Sequence, residues 1–250
     1  MGALHEGHLA LVRRARKLAG PRGLVAVSIF VNPTQFGPNE DFSKYPRPFA
    51  RDARLCRENG VDILFNPSPA AMYSEGYSTY INEESLSAVL CGRSRPGHFR
   101  GVCTVVAKLF NILAPDIAVF GKKDFQQLAI IKRMVRNLDL PVKIDAFDTV
   151  REHDGLALSS RNQYLSPGER AHAPIIRRAL LTASKNIPTA RETAVAMIEP
   201  TPGAKIDYIE VLDAENLQPV SKSTRRALIA AAVFLGKTRL IDNITVALRK

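Results

Sequence analysis

The chain has no tryptophan, only three cysteines and no apolar run long enough to cross a membrane. Each shortage excludes something. Cys56, Cys91 and Cys103 are odd in number and show no Cys-x-x-Cys spacing, so free thiols in a reducing cytosol are expected. A membrane span needs roughly 18–20 apolar residues, and the longest run here, Ala227–Leu235, is strand-sized. No basic region followed by an apolar stretch opens the sequence, so no secretory leader is expected. Internal repeats and low-complexity tracts are missing too. The formal net charge of +11 raises the question of nucleic acid. Residues 1–150 and 151–250 are each modestly basic, and neither carries a basic tail. Nucleic-acid binders concentrate charge on a stripe and interleave aromatics, whereas Phe and Tyr are sparse here. The balance favours a solvated basic surface and a small anionic substrate, with no nucleic-acid or membrane partner.

What is present points to an α/β fold. An apolar content of 46% over 250 residues supports a sizeable core in one large or two modest domains. Leu24–Val31, Val61–Phe65, Ile117–Phe120 and Val142–Ala146 read as strands bounded by Gly, Pro and Asn. Helical spacing over Leu9–Ala15, Arg47–Asn59, Val102–Leu113 and Asp124–Asn137 fills the intervals. This alternation predicts a Rossmann-like, doubly wound parallel sheet over residues 1–149. Ligands of such sheets bind beyond the carboxyl ends of the strands, where Asn32, Gly121, Lys123 and Asp124 fall. Residues 150–250 read differently. Pro167–Lys185 is predicted as one helix with Ser166 as its N-cap, and Lys205–Leu212 and Ala227–Leu235 as strands. A smaller C-terminal α+β lid domain fits them.

The densest chemical signal is the opening octapeptide, Met1-Gly2-Ala3-Leu4-His5-Glu6-Gly7-His8. Gly7 lets the backbone turn tightly between two histidines. The helix that follows offers free N–H groups to an anion. Two imidazoles there suit the oxygens of a nucleoside triphosphate whose α-phosphorus is attacked; the plainer reading is a helix-capping pair. A metal would need a third ligand, and His98, His153 and His172 show no ligand spacing, so no metal site is expected.

Further motifs follow: Ser28-Ile29-Phe30-Val31-Asn32-Pro33-Thr34-Gln35-Phe36, Gly97-His98-Phe99-Arg100-Gly101-Val102, Phe120-Gly121-Lys122-Lys123-Asp124-Phe125-Gln126-Gln127, Leu158-Ser159-Ser160-Arg161-Asn162, and Gly236 through Asn243. In that order and at those separations they resemble the pantoate–β-alanine ligase (pantothenate synthetase) family, within the HIGH-motif nucleotidyltransferase superfamily. The resemblance implies a cytoplasmic, homodimeric enzyme of pantothenate biosynthesis. It implies ATP-dependent condensation of pantoate with β-alanine through a pantoyl adenylate, releasing AMP and pyrophosphate, with Mg2+ carried largely by the phosphates. His5, His8, Lys123, Ser159, Ser160 and Arg161 are implied as catalytic. Met1, Gly121, Asp124 and Leu158 join them around ATP, and Gln35, Gln127 and Asn32 face pantoate. Lys122 stands where the family usually has Glu. The family pattern begins before Met1 with a strand leading into the histidine motif, so the loop around His5 is expected to lack that anchor. Two rival readings remain open: another nucleotidyltransferase of the superfamily with a phosphate-bearing acceptor, which calls for Arg or Lys where Gln35 and Gln127 stand, and a truncated, non-catalytic nucleotide-binding or dimerisation module.

Overall fold

Helix α1 (Glu6–Ala19) begins where His5 leaves the extended region and offers its ring to the first free N–H groups. Gly7 lies inside the first turn of this helix, so it does not make the turn expected of it. The sharp backbone lies upstream at Ala3, with φ of 49° in the left-handed region. A computed structural model describes residues 1–37, 42–43 and 45–248. They divide into two units: Met1–Lys122 with Gln126–Asp148, and Lys123–Phe125 with Thr149–Lys250.

In the first unit α1 is followed by β1 (Ala26–Ser28), α2 (Phe49–Glu58), β2 (Ile63–Phe65), α3 (Pro69–Met72), α4 (Cys91–Ser94), α5 (His98–Leu113), β3 (Ile117–Gly121), α6 (Phe125–Asn137) and β4 (Lys143–Phe147). The parallel strands come as two pairs, β1 with β2 and β3 with β4. β1 is much shorter than the apolar run Leu24–Val31, because its partner β2 offers three paired residues. Leu9 and Val12 of α1 pack with Val25, Val27, Ile29 and Cys56. Arg14 then ties α1 to β4, its Nε and Nη2 each 2.9 Å from an oxygen of Asp145. That guanidinium holds the Asp145 carboxyl below the usual range. α5 starts four residues before the apolar periodicity suggests, at His98, because Gly97 caps it at φ 80°.

The second unit holds α7 (Pro167–His172), α8 (Ile175–Ala183), α9 (Ala190–Ile198) and an antiparallel sheet of β5 (Ala204–Asp213), β6 (Arg226–Leu235) and β7 (Thr238–Ala247) in that order. The single helix expected over Pro167–Lys185 is two helices. Pro174 has no N–H to continue the ladder, and α8 restarts after it. Ile176, Leu180 and Ile198 pack on Ile209, Ile229 and Val233 to form this unit's core. Burying each such side chain contributes about 1.5–3 kcal/mol, more than a typical exposed ion pair at about 0–1 kcal/mol. All three cysteines are free; burial pushes the Cys103 thiol up to about 12. No helix among the described residues is long and apolar enough to cross a membrane.

The loop around His5 is held by contacts to β1 and α2. Met1 N donates to Ser28 O at 2.8 Å, and Phe30 N donates to Met1 O at 3.1 Å. Leu4 is fully buried, and its N–H donates to Asp52 Oδ1 on α2 at 2.9 Å. Asp52 Oδ2 is buried with no hydrogen-bond partner among the described residues. Asp52→Leu strands the Leu4 N–H and should cost about 1–3 kcal/mol, whereas Asp52→Asn keeps the acceptor and should stay within about 1 kcal/mol of the parent. Denaturant midpoints of the three proteins measure the difference; equal losses in both variants would contradict this role.

Candidate active site

Two histidines and a helix terminus form one cluster in the first unit. Gly7 N donates to His5 Nδ1 at 3.1 Å, and His5 N donates to His8 Nδ1 at 3.3 Å. The rings lie 4.0 Å apart, centroid to centroid. A nitrogen that accepts from an N–H carries no proton, so this network assigns the proton of each neutral ring to Nε2. The capping role and the ligand role are therefore compatible: Nδ1 serves the helix, and Nε2–H is a donor.

A second cluster surrounds Gln35. Asn32 is only 2% exposed and caps the helical turn Pro33–Gln35. Its Nδ2 donates to Gly101 O at 3.1 Å and to Gln35 Oε1 at 3.2 Å. Its Oδ1 accepts from Tyr73 Oη at 2.7 Å and Thr34 Oγ1 at 2.9 Å. Asn32, expected at the substrate, thus commits its side chain inside the protein and shapes the loop that carries Gln35. Gly101 permits the approach, because a Cβ there would stand 2.4 Å from Thr34 O. Gln35 O is gripped by His98 Nδ1 at 2.8 Å and by Arg95 Nη2 at 3.4 Å. Arg95 Nη1 lies 3.2 Å from His98 Nε2. Arginine only donates, so His98 accepts at Nε2 and donates from Nδ1.

Gln127 is half-buried on α6 and shares no hydrogen bond with Gln35 among the described residues. Its neighbour Gln126 is the buried amide, and it fastens Leu86 O, Val89 O and Cys91 N. Gly121 ends β3, where a Cβ would meet open space. Asp124 is exposed.

In the second unit Lys123 and Ser159 line one small pocket with Asn162, Arg177 and Asp242. Ser159 caps the turn Ser160–Tyr164, its Oγ accepting from Arg161 N at 3.2 Å. Leu158 precedes it, its N–H donating to Val150 O at 3.0 Å. Asn162 supports this loop from below, donating to Ala157 O at 3.2 Å and to Glu152 Oε1 at 3.1 Å. Glu152 and Asp154 in turn bind the Arg170 guanidinium, each at 2.6 Å. That guanidinium holds the Asp154 carboxyl below its usual value. The pocket's one acid, Asp242, is committed to a bidentate bridge with Arg151. Arg177 has no ion pair among the described residues, and burial followed by the nearby Arg151 pushes its pKa down. Lys123 and Arg177 therefore leave the pocket electropositive and suited to an anion. Among the described residues no group of three or more His, Cys, Asp or Glu is arranged to hold a metal.

Asp52, Arg95 and Arg170 escaped the sequence reading. The signal for Asp52 was an acid in an amphipathic helix, four residues before the buried Cys56. Arg95 and Arg170 act across gaps in sequence that no local pattern marks.

A family profile described as Pantoate-beta-alanine ligase matches residues 1–245 of this chain. A pantothenate synthetase of Akkermansia muciniphila is 54% identical over 98% of the chain and 89% of its own length. The crystal structure of pantothenate synthetase from Thermus thermophilus superposes with a TM-score of 0.92 at 46% identity, covering 98% of this chain and 90% of that one. The pantoate-beta-alanine ligase of Francisella tularensis, complexed with beta-gamma ATP and beta-alanine, gives a TM-score of 0.79 at 37% identity, over 98% of this chain and 86% of that one. On this profile match and these identities, the chain belongs to the pantoate–β-alanine ligase family.

Proposed function

We propose that the chain condenses pantoate with β-alanine to pantothenate at the expense of ATP, through a pantoyl adenylate. Family membership supports the reaction, and the ligands of the Francisella structure support ATP and β-alanine as substrates. The observation that carries the reading into this chain is the histidine pair at the amino end of α1, where both Nδ1 atoms accept from backbone N–H groups and each neutral ring carries its proton on Nε2. The phosphate-acceptor alternative is not favoured: Gln35 and Gln127 stand where a phosphate would call for cations.

The pantoate carboxylate attacks the α-phosphorus of ATP. A phosphorus–oxygen bond forms, the bond to the bridging oxygen breaks, and pyrophosphate leaves. The neutral amine of β-alanine then attacks the acyl carbonyl; the carbon–oxygen bond breaks, AMP leaves, and the nitrogen loses its extra proton. Such transfers rest on positioning and on charge neutralisation. His5 and His8 donate to phosphate oxygens beside the positive end of the helix dipole. Lys123 neutralises phosphate charge, with Ser159, Ser160 and Arg161 supplying hydroxyl and guanidinium donors to the departing pyrophosphate. Asp124 accepts from the ribose hydroxyls, and Met1, Gly121 and Leu158 flank the nucleotide. Gln35 and Gln127 hold pantoate with neutral amides, leaving its carboxylate free as the nucleophile. Asn32, Arg95 and His98 hold Gln35. In this reading ATP enters as its magnesium complex, with the metal on the phosphates and water. The enzyme works as a homodimer in the cytoplasm.

Labelled pyrophosphate should exchange into ATP when pantoate is present and β-alanine is absent. Exchange only in the presence of β-alanine would contradict the two-step route. Gln127→Ala should weaken pantoate binding and leave ATP binding nearly unchanged. Losing a hydrogen bond to a charged group costs about 1.5–3 kcal/mol, or roughly 10- to 150-fold in affinity. Separate titrations of ATP and pantoate check this; a loss confined to ATP would move Gln127 to the nucleotide.

A further inference from the structure

The last of the sequence motifs ends in Asp242-Asn243, neither of which is assigned to substrate. It lies on β7 beside the central strand β6, where Asp242 faces Ala231 and Asn243 faces Ala230. Asp242 is only 5% exposed, and a buried carboxylate requires a partner. Arg151 supplies it with Nη1 at 2.7 Å and Nη2 at 2.9 Å. The same Arg151 Nη1 donates to Gly155 O at 3.0 Å, and its backbone bridges to Ala157, two residues before Ser159. From the other side, Asp242 Oδ1 accepts from Asn243 N at 2.7 Å. Asn243 Nδ2 then donates to Lys123 O at 2.9 Å. One buried ion pair therefore reaches both the backbone that leads to Ser159 and the backbone of Lys123, and both residues line the same pocket.

We propose that Asn243, set by the Arg151–Asp242 pair, is a positioning residue that fixes Lys123 against the Ser159–Arg161 loop for binding the phosphates of ATP. The inference rests on the reading of Lys123 as the phosphate lysine. A lysine reaches its ligand on a flexible four-carbon stem, so the place of its charge is only as fixed as its backbone. Holding that backbone by the carbonyl leaves the ammonium free for the ligand. Displacing a charged contact by about 1 Å can cost on the order of 10²-fold in rate.

A double-mutant cycle tests the proposal, using ATP as the titrated probe on parent, Asn243→Ala, Lys123→Ala and the double variant. If Asn243 acts through Lys123, Asn243→Ala weakens ATP binding roughly tenfold in the parent and less than about twofold in the Lys123→Ala background. Pantoate affinity stays unchanged throughout. Thr245→Ala, an exposed site on the same strand, should leave ATP affinity unchanged. Should Asn243→Ala fail to fold, Asn243→Leu keeps the approximate size of the side chain, adds no charge and removes the donor to Lys123 O, and the same cycle applies. An equal factor in both backgrounds overturns the proposal. A parent chain that binds no ATP contradicts the functional reading and takes the proposal with it; a parent that binds ATP with independent factors overturns the proposal alone.

Discussion

The amino end of α1 depends on one exchange of hydrogen bonds between two histidines. A helix begins with N–H groups that have no partner in the helix, and side chains of Ser, Thr, Asp or Asn usually satisfy them. Here His5 and His8 do so through Nδ1. The consequence is chemical as well as structural. An imidazole that accepts at Nδ1 is a donor at Nε2, so the bond that starts the helix also selects the tautomer that suits an anion. The loop before it is fixed by Asp52 and by the bonds between Met1 and the end of β1. Those contacts hold Ala3 in a backbone conformation that costs energy in isolation.

The same division of labour recurs at the other candidate residues. Gln35 is held by Asn32, His98 and Arg95, and the loop of Ser159 by Asn162, Glu152 and Arg170. Lys123 is held through its backbone by Asn243. In each case the supporting residue uses its polar atoms inside the protein, while the residue it supports carries the side chain assigned to the substrate. A reaction driven by positioning and charge has its tolerances set by such supports, because small displacements of fixed donors weaken electrostatic stabilisation.

Much of this was legible in the sequence where local signals agree. β3 and β6 fall within a residue of the apolar runs that predict them; Pro115 and Gly121 bound the first, and Gly236 ends the second. The failures have physical causes. β7 was not expected because its inward positions include Thr238 and Asp242, polar residues that break the apolar alternation; Asp242 is buried only because Arg151, 91 residues away, neutralises it. α9 went unseen because its buried stripe consists largely of alanines, which give little amphipathic contrast. Pro174 sits in an otherwise helical pattern, and its missing N–H ends the hydrogen-bond ladder there. The motifs exposed His5, Lys123 and Ser159, but the residues that hold them act over long sequence distances, where no periodicity reports a contact.

The tautomer of the two histidines tests this account most directly. Nitrogen-15 spectra of the side chains distinguish a protonated from an unprotonated ring nitrogen. For His5 and His8 at neutral pH they should show the proton on Nε2 and a bare Nδ1 in each ring, with the Nε2 signals moving when ATP is added. Protons on Nδ1, or Nε2 signals that ignore ATP, would contradict the claim that the bond capping the helix also prepares the phosphate site.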